Sequence, residues 1–326
     1  MSEAEATNWD GVDRAALLDR LHHYHHLART RLGCAASPVG SNLVDSYRVD
    51  AIHHPEVAVD EEFPNAPIVV YTHRDLPWRY FNHAAIYRRD SKPDLALIEE
   101  AADRMQRAGR VPCFDLPMDG AGMAAPTDVG ADRLWEESAL RWTAELQRSS
   151  FVICDRLLAM GRPIVPLPGV LTSTPAAEIP SPPHKSRYSV ILMPRDAIGR
   201  QVKLHRSGFE TSRGRARGFD RLVMETNLAA GVEYLWAMDH VWRQPVGSAA
   251  LLTAAGVTEM FALSVVPRRR SCGIGGQLTQ ESIRRAALHG SDLIYLETEP
   301  GSRASSLYGR HGFVPIWSRF TFARER

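Results

Sequence analysis

The chain has 326 residues, 44% of them hydrophobic and 24% charged, which is ordinary for a soluble globular protein and long enough for two domains. No apolar run approaches the roughly 18 residues of a membrane span, and residues 1–10 lack the basic and apolar regions of a signal peptide, so both are excluded. The net charge of +1 hides opposite halves: residues 1–185 carry 19 basic and 26 acidic side chains, residues 186–326 carry 20 and 12. A basic domain that handles an anion beside an acidic one fits this split, and so does mutual attraction of the two halves.

In chain order, residues 12–33 predict an amphipathic helix, with Leu17, Leu21, Tyr24, Ala28 and Leu32 at helical spacing. It contains the run HHYHH at 22–26. His22 and His26 lie one turn apart, but no third ligand has metal-site spacing, so a solvated helix face is expected and no metal. Strands are predicted at 67–74, 79–88, 111–117 and 151–160, with helices at 94–109 and 132–148. That alternation predicts an α/β domain. Six prolines between 164 and 186 predict a linker over the surface. Beyond it come a strand at 188–194, helical stretches to about 228, and strands at 232–239, 248–256 and 258–267. A helix to about 289, a strand at 292–300, a short helix at 302–312 and a last strand at 313–322 complete the pattern. The four cysteines, Cys34, Cys113, Cys154 and Cys272, are far apart with no C-x-x-C pair, which implies reduced thiols in a cytoplasmic protein.

The run VVPRRRSCGIGGQL, residues 265–278, carries the chemistry. An apolar strand ends at Pro267, a glycine-rich turn follows, and the next helix sets Ile274, Leu278, Ile283 and Ala286 along one side. Glycines let a ligand approach the backbone N–H groups that converge at a helix N-terminus, and Arg268–Arg270 add positive charge. A diphosphate or similar anion is the ligand this arrangement suits.

Arg270-Ser-Cys-Gly273-Ile-Gly275, followed by Leu307-Tyr308 and Gly312-Phe313 on the expected elements, resembles the acyl-CoA-binding half of the GNAT N-acetyltransferase family. The resemblance covers about residues 185–326 and implies a mixed-sheet α/β acyl-CoA N-acyltransferase fold. It implies acetyl-CoA as co-substrate and no metal. The CoA pyrophosphate would lie on Arg270, Ser271, Cys272, Gly273, Ile274 and Gly275. The pantetheine would pair with backbone near Leu263, Val265 and Val266, where a bulge would splay the strand from its neighbour. Tyr308 would protonate the departing thiolate, and Glu259, eleven residues before Arg270, would be the general base. An exposed strand glutamate is the other reading of Glu259. Asp239 and His240 are rivals for the base, and Glu297 and Glu299 could contact a cationic acceptor. Where relatives carry an asparagine before the short helix, this chain has Gly301 and Ser302.

Residues 60–160 have a similar order of elements, but their counterpart turn reads RDSKPD, without glycine. This implies two tandem copies: an N-terminal helix (1–35), a degenerate copy (36–170), a proline-rich linker (171–185) and an acetyltransferase domain (186–326). The expected acceptor is a small-molecule amine. Dispersed basic residues argue against nucleic acid. A non-catalytic CoA-binding sensor, or an enzyme of this fold with another acyl donor or decarboxylating an acyl-CoA, are the alternatives.

Overall fold

The first strands show why the chain folds as it does: β1 (Tyr47–Ile52) and β2 (Ile68–His73) pair antiparallel, and β2 is β-branched and buried on both faces from Ile68 to Tyr71. A computed structural model describes residues 47–52, 68–73, 82–86, 93–118, 131–164, 187–209 and 219–324, and part of a helix, α1, between residues 17 and 31. β3 (His83–Ile86) follows, then α2 (Leu95–Arg107), β4 (Cys113–Met118), α3 (Ala131–Arg148) and β5 (Phe151–Pro163). The second half contains β6 (Tyr188–Leu192), α4 (Ile198–Gly208), α5 (Phe219–Ala229), β7 (Glu233–Asp239), β8 (Gln244–Ala254) and β9 (Val257–Val265). It ends with α6 (Ile274–Leu288), β10 (Leu293–Thr298), α7 (Arg303–Arg310) and β11 (Val314–Arg324). The proline-rich stretch predicted as a linker lies outside the described residues from 165 to 186. β8 begins at Gln244, earlier than the predicted 248, because Pro245 sits at a register shift against Ala237 and Met238.

All described strands join one mixed sheet in the order β1-β2-β3-β4-β11-β5-β10-β9-β8-β7-β6. The series β-β-β-α-β-α-β occurs twice, as β1 to β5 and as β7 to β11. In each series one parallel pair is bridged by a helix: β3–β4 by α2 and β9–β10 by α6. The last strands are exchanged. β5 pairs with β10 of the second half, β11 pairs with β4 of the first, and β5 and β11 pair with each other. Two copies of one fold are therefore fused through a common sheet.

Helices cover both faces. On one, α2 and α3 bury Leu97, Ile98, Met105, Trp142 and Leu146, while α6 and α7 bury Ile274, Leu278, Ala286 and Tyr308. On the other, α1, α4 and α5 pack through Leu21, Tyr24, Leu204 and Met224 onto Trp236, Leu252 and Tyr295. The predicted stripe of α1 is therefore buried at Leu17, Leu21, Tyr24 and Ala28, while Leu32 lies outside the described residues.

An ion triad fixes the far end of α6. Arg285 donates two hydrogen bonds of 2.8 Å to Glu233 on β7, and His289 lies 3.0 Å from the same carboxylate. Burial alone would raise the Glu233 pKa, but His289 and Arg285 outweigh it and bring it to about 2. The folded value is below the unfolded one, so the triad stabilises the protein above about pH 4.5 and loses that effect as pH falls toward 2. Urea midpoints at pH 5 and pH 2.5 should fall further for the wild type than for Glu233→Gln. Equal falls would show that the triad adds no net stability.

Candidate active site

The sheet opens at its centre. β9 and β10 pair in parallel only at Leu293–Val257, Ile294–Thr258 and Tyr295–Glu259, although both strands continue. The cause is a bulge: the β8–β9 register jumps from Ser248–Ser264 to Ala250–Phe261, and Ala262 in the extra length has φ 52°. A left-handed alanine costs roughly 1–2 kcal/mol, and such strain persists where surrounding structure imposes it. Among the described residues, no strand pairs with β9 beyond Glu259 on the β10 side. The bulge and splay agree with expectation.

At the outer end of β9 the chain enters the glycine-rich turn. Ser271 and Gly273 have φ 63° and 78°, and Arg270 to Gly273 are exposed. α6 then starts without any side-chain cap. The first N–H groups of a helix lack intrahelical partners and carry the positive end of its dipole, so this end can take an anion. The counterpart in the first half differs. There Asp94 caps α2, and its Oδ1 accepts from the Ala96 N–H at 2.8 Å. A carboxylate already occupies the position a phosphate would need.

The arginines of the turn hold its shape. Arg270 donates to the Gly208 carbonyl at 2.8 Å and to the Val265 carbonyl at 3.3 Å, and Arg269 reaches Asp239 at 3.3 Å. A Cβ on Gly275 would lie 3.0 Å from Leu307, so this glycine also lets α6 approach α7. Val266 already has its N–H bonded to Val246 and its carbonyl to Arg269, so backbone pairing with a ligand would fall to Leu263 and Val265. Cys272 is exposed in the turn.

Tyr308 is buried on α7, its ring 5.9 Å from that of Phe313. Burial pushes its pKa up to about 12, and its hydroxyl has no hydrogen-bond partner among the described residues. Glu259 is 4% exposed, so it is not an exposed strand glutamate. It shares the vertex of the splay with Tyr295 and accepts a hydrogen bond from Tyr24 of α1 at 3.1 Å. Asp239 serves another purpose. Burial would raise its pKa, but Arg187 and the N–H groups of Trp242 and Val241 lower it overall, which suits an anchor and makes it a poor base. His240 is exposed beside it. Glu297 does not await a cationic acceptor: Arg319 takes both its oxygens, at 2.8 and 2.6 Å, while Glu299 is exposed. Ser302 caps α7 by accepting from the Ser305 N–H.

Sequence reasoning missed the contribution of α1. The histidines of the HHYHH run were expected on a solvated face, yet His25 Nε2 lies 3.1 Å from the Tyr295 hydroxyl and His26 Nδ1 lies 2.9 Å from that of Tyr71, while Tyr24 of the predicted stripe is buried against Glu259. His22 lies outside the described residues. The available signal was the tyrosine: it sits on the apolar stripe with the histidines around it.

A mixed sheet splayed beside a parallel strand–turn–helix, with an uncapped helix end, defines the architecture of the second half. Residues 231–315 match the family model of the acetyltransferase (GNAT) domain, so the second half carries a GNAT acetyltransferase domain. Solved structures extend the likeness over the whole chain. A tandem GNAT protein from the clavulanic acid biosynthesis pathway superposes with TM-score 0.56 at 14% identity, covering 98% of this chain and 97% of that one. A GCN5-related N-acetyltransferase from Kribbella flavida gives 0.55 at 16%, covering 87% and 91%. A Drosophila protein gives 0.50 at 13%, covering 95% and 90%. At these identities the likeness is one of fold, and that fold is the tandem GNAT architecture. No curated protein matched the sequence. No helix among the described residues is long and apolar enough to cross a membrane.

Proposed function

We propose that the second half transfers an acetyl group from acetyl-CoA to the amine of a small molecule, by direct attack within a ternary complex. The observation that carries this reading is the gap between β9 and β10, which runs from the uncapped N-terminus of α6 to Glu259. The pyrophosphate would bind the N–H groups of residues 270–275, and the pantetheine would extend the unpaired edge of β9 at Leu263 and Val265. The thioester would then lie between Tyr308, on the α6–α7 face, and Glu259, on the α1 face. Glu259 would take the proton of an ammonium acceptor, directly or through water, and Tyr308 would donate to the departing sulfur. Asp94 at the corresponding helix of the first half supports a single CoA site per chain.

A thermal-shift titration tests the donor site. Acetyl-CoA and CoA should raise the melting temperature of the wild type and ATP should not. A ligand at 100 times its Kd that binds only the folded state contributes about 2.7 kcal/mol. Gly273→Glu places a carboxylate in the turn and should abolish the shift. A side chain at Gly273 is strained by its φ of 78° but meets no atom within 4 Å, whereas a Cβ at Gly275 would press on Leu307 at 3.0 Å, so the unliganded melting temperature of the variant is the reference for its shift. An unshifted wild type would remove the basis for the donor site.

A further inference from the structure

Helix α1 precedes the first half in sequence and meets it through His26 and Tyr71, but Arg20, Tyr24, His25 and Arg31 bond to the second half. Arg20 donates to the Gly256 carbonyl at 3.0 Å and pairs with Asp292, and Arg31 donates to the Thr253 carbonyl at 3.0 Å. Between these anchors, the Tyr24 hydroxyl lies 3.1 Å from Glu259 Oε2 and 3.2 Å from the Leu252 carbonyl. Its proton can serve one strong bond at a time, and an ionised carboxylate is the better acceptor. Glu259 is almost wholly buried, which favours its protonated form, whereas a hydrogen bond donated to the carboxylate favours the charged form.

We propose that Tyr24 is a positioning residue for Glu259: the phenol, brought by the N-terminal helix, orients the carboxylate at the vertex of the β9–β10 gap and keeps it ionised for proton abstraction. This rests on the reading of Glu259 as the base. The geometry gives Tyr24 this role because its ring is held in a three-ring cluster with His25 and Tyr295. Tyr295, the register partner of Glu259, stacks edge-on at 5.5 Å, and His25 at 5.7 Å. His25 is in turn held by the Tyr295 hydroxyl at 3.1 Å. Among the described residues, the titratable groups of the elements packed around Glu259 include Tyr24, His25 and Arg20 of α1, Tyr295 of β10 and Asp292 just before it. A Tyr24→Phe substitution removes one hydroxyl and leaves the other four in place, so the difference between the two proteins isolates the phenol.

The full chain labelled with 13C at glutamate carboxyls, its Glu259 signal assigned with Glu259→Gln, reports the titration directly. Tyr24→Phe should raise the Glu259 midpoint by roughly one pH unit. Arg31→Ala, which loosens α1 without touching Glu259, should leave it in place. Fluorotyrosine at position 24, a stronger donor, should lower it. An unmoved midpoint in Tyr24→Phe, or the same movement in Arg31→Ala, overturns the proposal. The acid limb of acetyl transfer to an amine found by screening separates the two claims. If Glu259→Gln transfers at the wild-type rate while Tyr24→Phe still moves the midpoint, Glu259 is not the base and the coupling stands. If Glu259→Gln is inactive and the midpoint is unmoved, the base stands and Tyr24 does not tune it.

Discussion

Replacing Arg319 with alanine should lower stability by about 3–5 kcal/mol, the range for leaving buried charge without its partner. Arg319 stands on β11 and bridges two carboxylates: Asp115 on β4 and Glu297 on β10. To reach Glu297 its side chain crosses β5, the strand lent by the first half. Thr321 donates to the other oxygen of Asp115 at 2.7 Å, and His83 Nε2 lies 3.9 Å from the carboxylate. The three charged side chains are 12–18% exposed, so solvent replaces the lost contacts poorly. Burial works against the Arg319 charge, yet Asp115 and Glu297 raise its pKa well above the ordinary arginine value. Its removal would leave two carboxylates in that environment. A urea titration should show a lower midpoint and, because β5 and β11 are exchanged between the halves, one transition rather than two. Replacing Arg319, Asp115 and Glu297 together with apolar residues of similar volume should restore most of the loss, since the desolvation cost goes with the charges. A single substitution costing under 1 kcal/mol would show that water reaches the seam.

How much of this was legible in the sequence depended on how local each signal was. The glycine-rich turn could be read directly, because strand, glycines and helix are contiguous from Val257 to Leu288 and each residue type answers a local backbone demand. The duplicated order of elements was legible for the same reason. The exchange of β5 and β11 was not: neither strand's residue pattern names its neighbour, and pairing partners 130 or more residues apart leave no periodicity. Burial of Glu259 was hidden likewise. Its neighbours Thr258 and Met260 fit a half-exposed strand, and Tyr24, which covers it, lies 235 residues earlier. Glu297 looked available for an acceptor because the cation that holds it arrives from β11. For the exchanged strands and Glu259 the decisive partner comes from the other half of the chain, and for Glu297 it comes from a strand two places away in the sheet.

Tyr308→Phe should lower the turnover number of acetyl transfer by roughly 100-fold, the lower part of the range for loss of a positioned acid. That corresponds to about 2.7 kcal/mol of transition-state stabilisation. The ring would keep its packing against Phe313, and the missing hydroxyl has no hydrogen-bond partner among the described residues, so stability should be unchanged within about 0.5 kcal/mol. KM for acetyl-CoA should stay within twofold, because the proposed donor contacts are on the turn and β9. The pKa of about 12 adds a second observable. A phenol raised that far remains a donor through neutral and moderately alkaline pH, so Tyr308 should produce no alkaline limb in the free enzyme below about pH 11. Steady-state release of free thiol from acetyl-CoA, measured with a panel of amines between pH 6 and 10, checks both. An unchanged turnover number would reduce Tyr308 to a core residue beneath Phe313. A lower turnover accompanied by equal loss of acetyl-CoA affinity would instead place the hydroxyl in donor binding, since an interaction made only in the transition state leaves ground-state affinity intact.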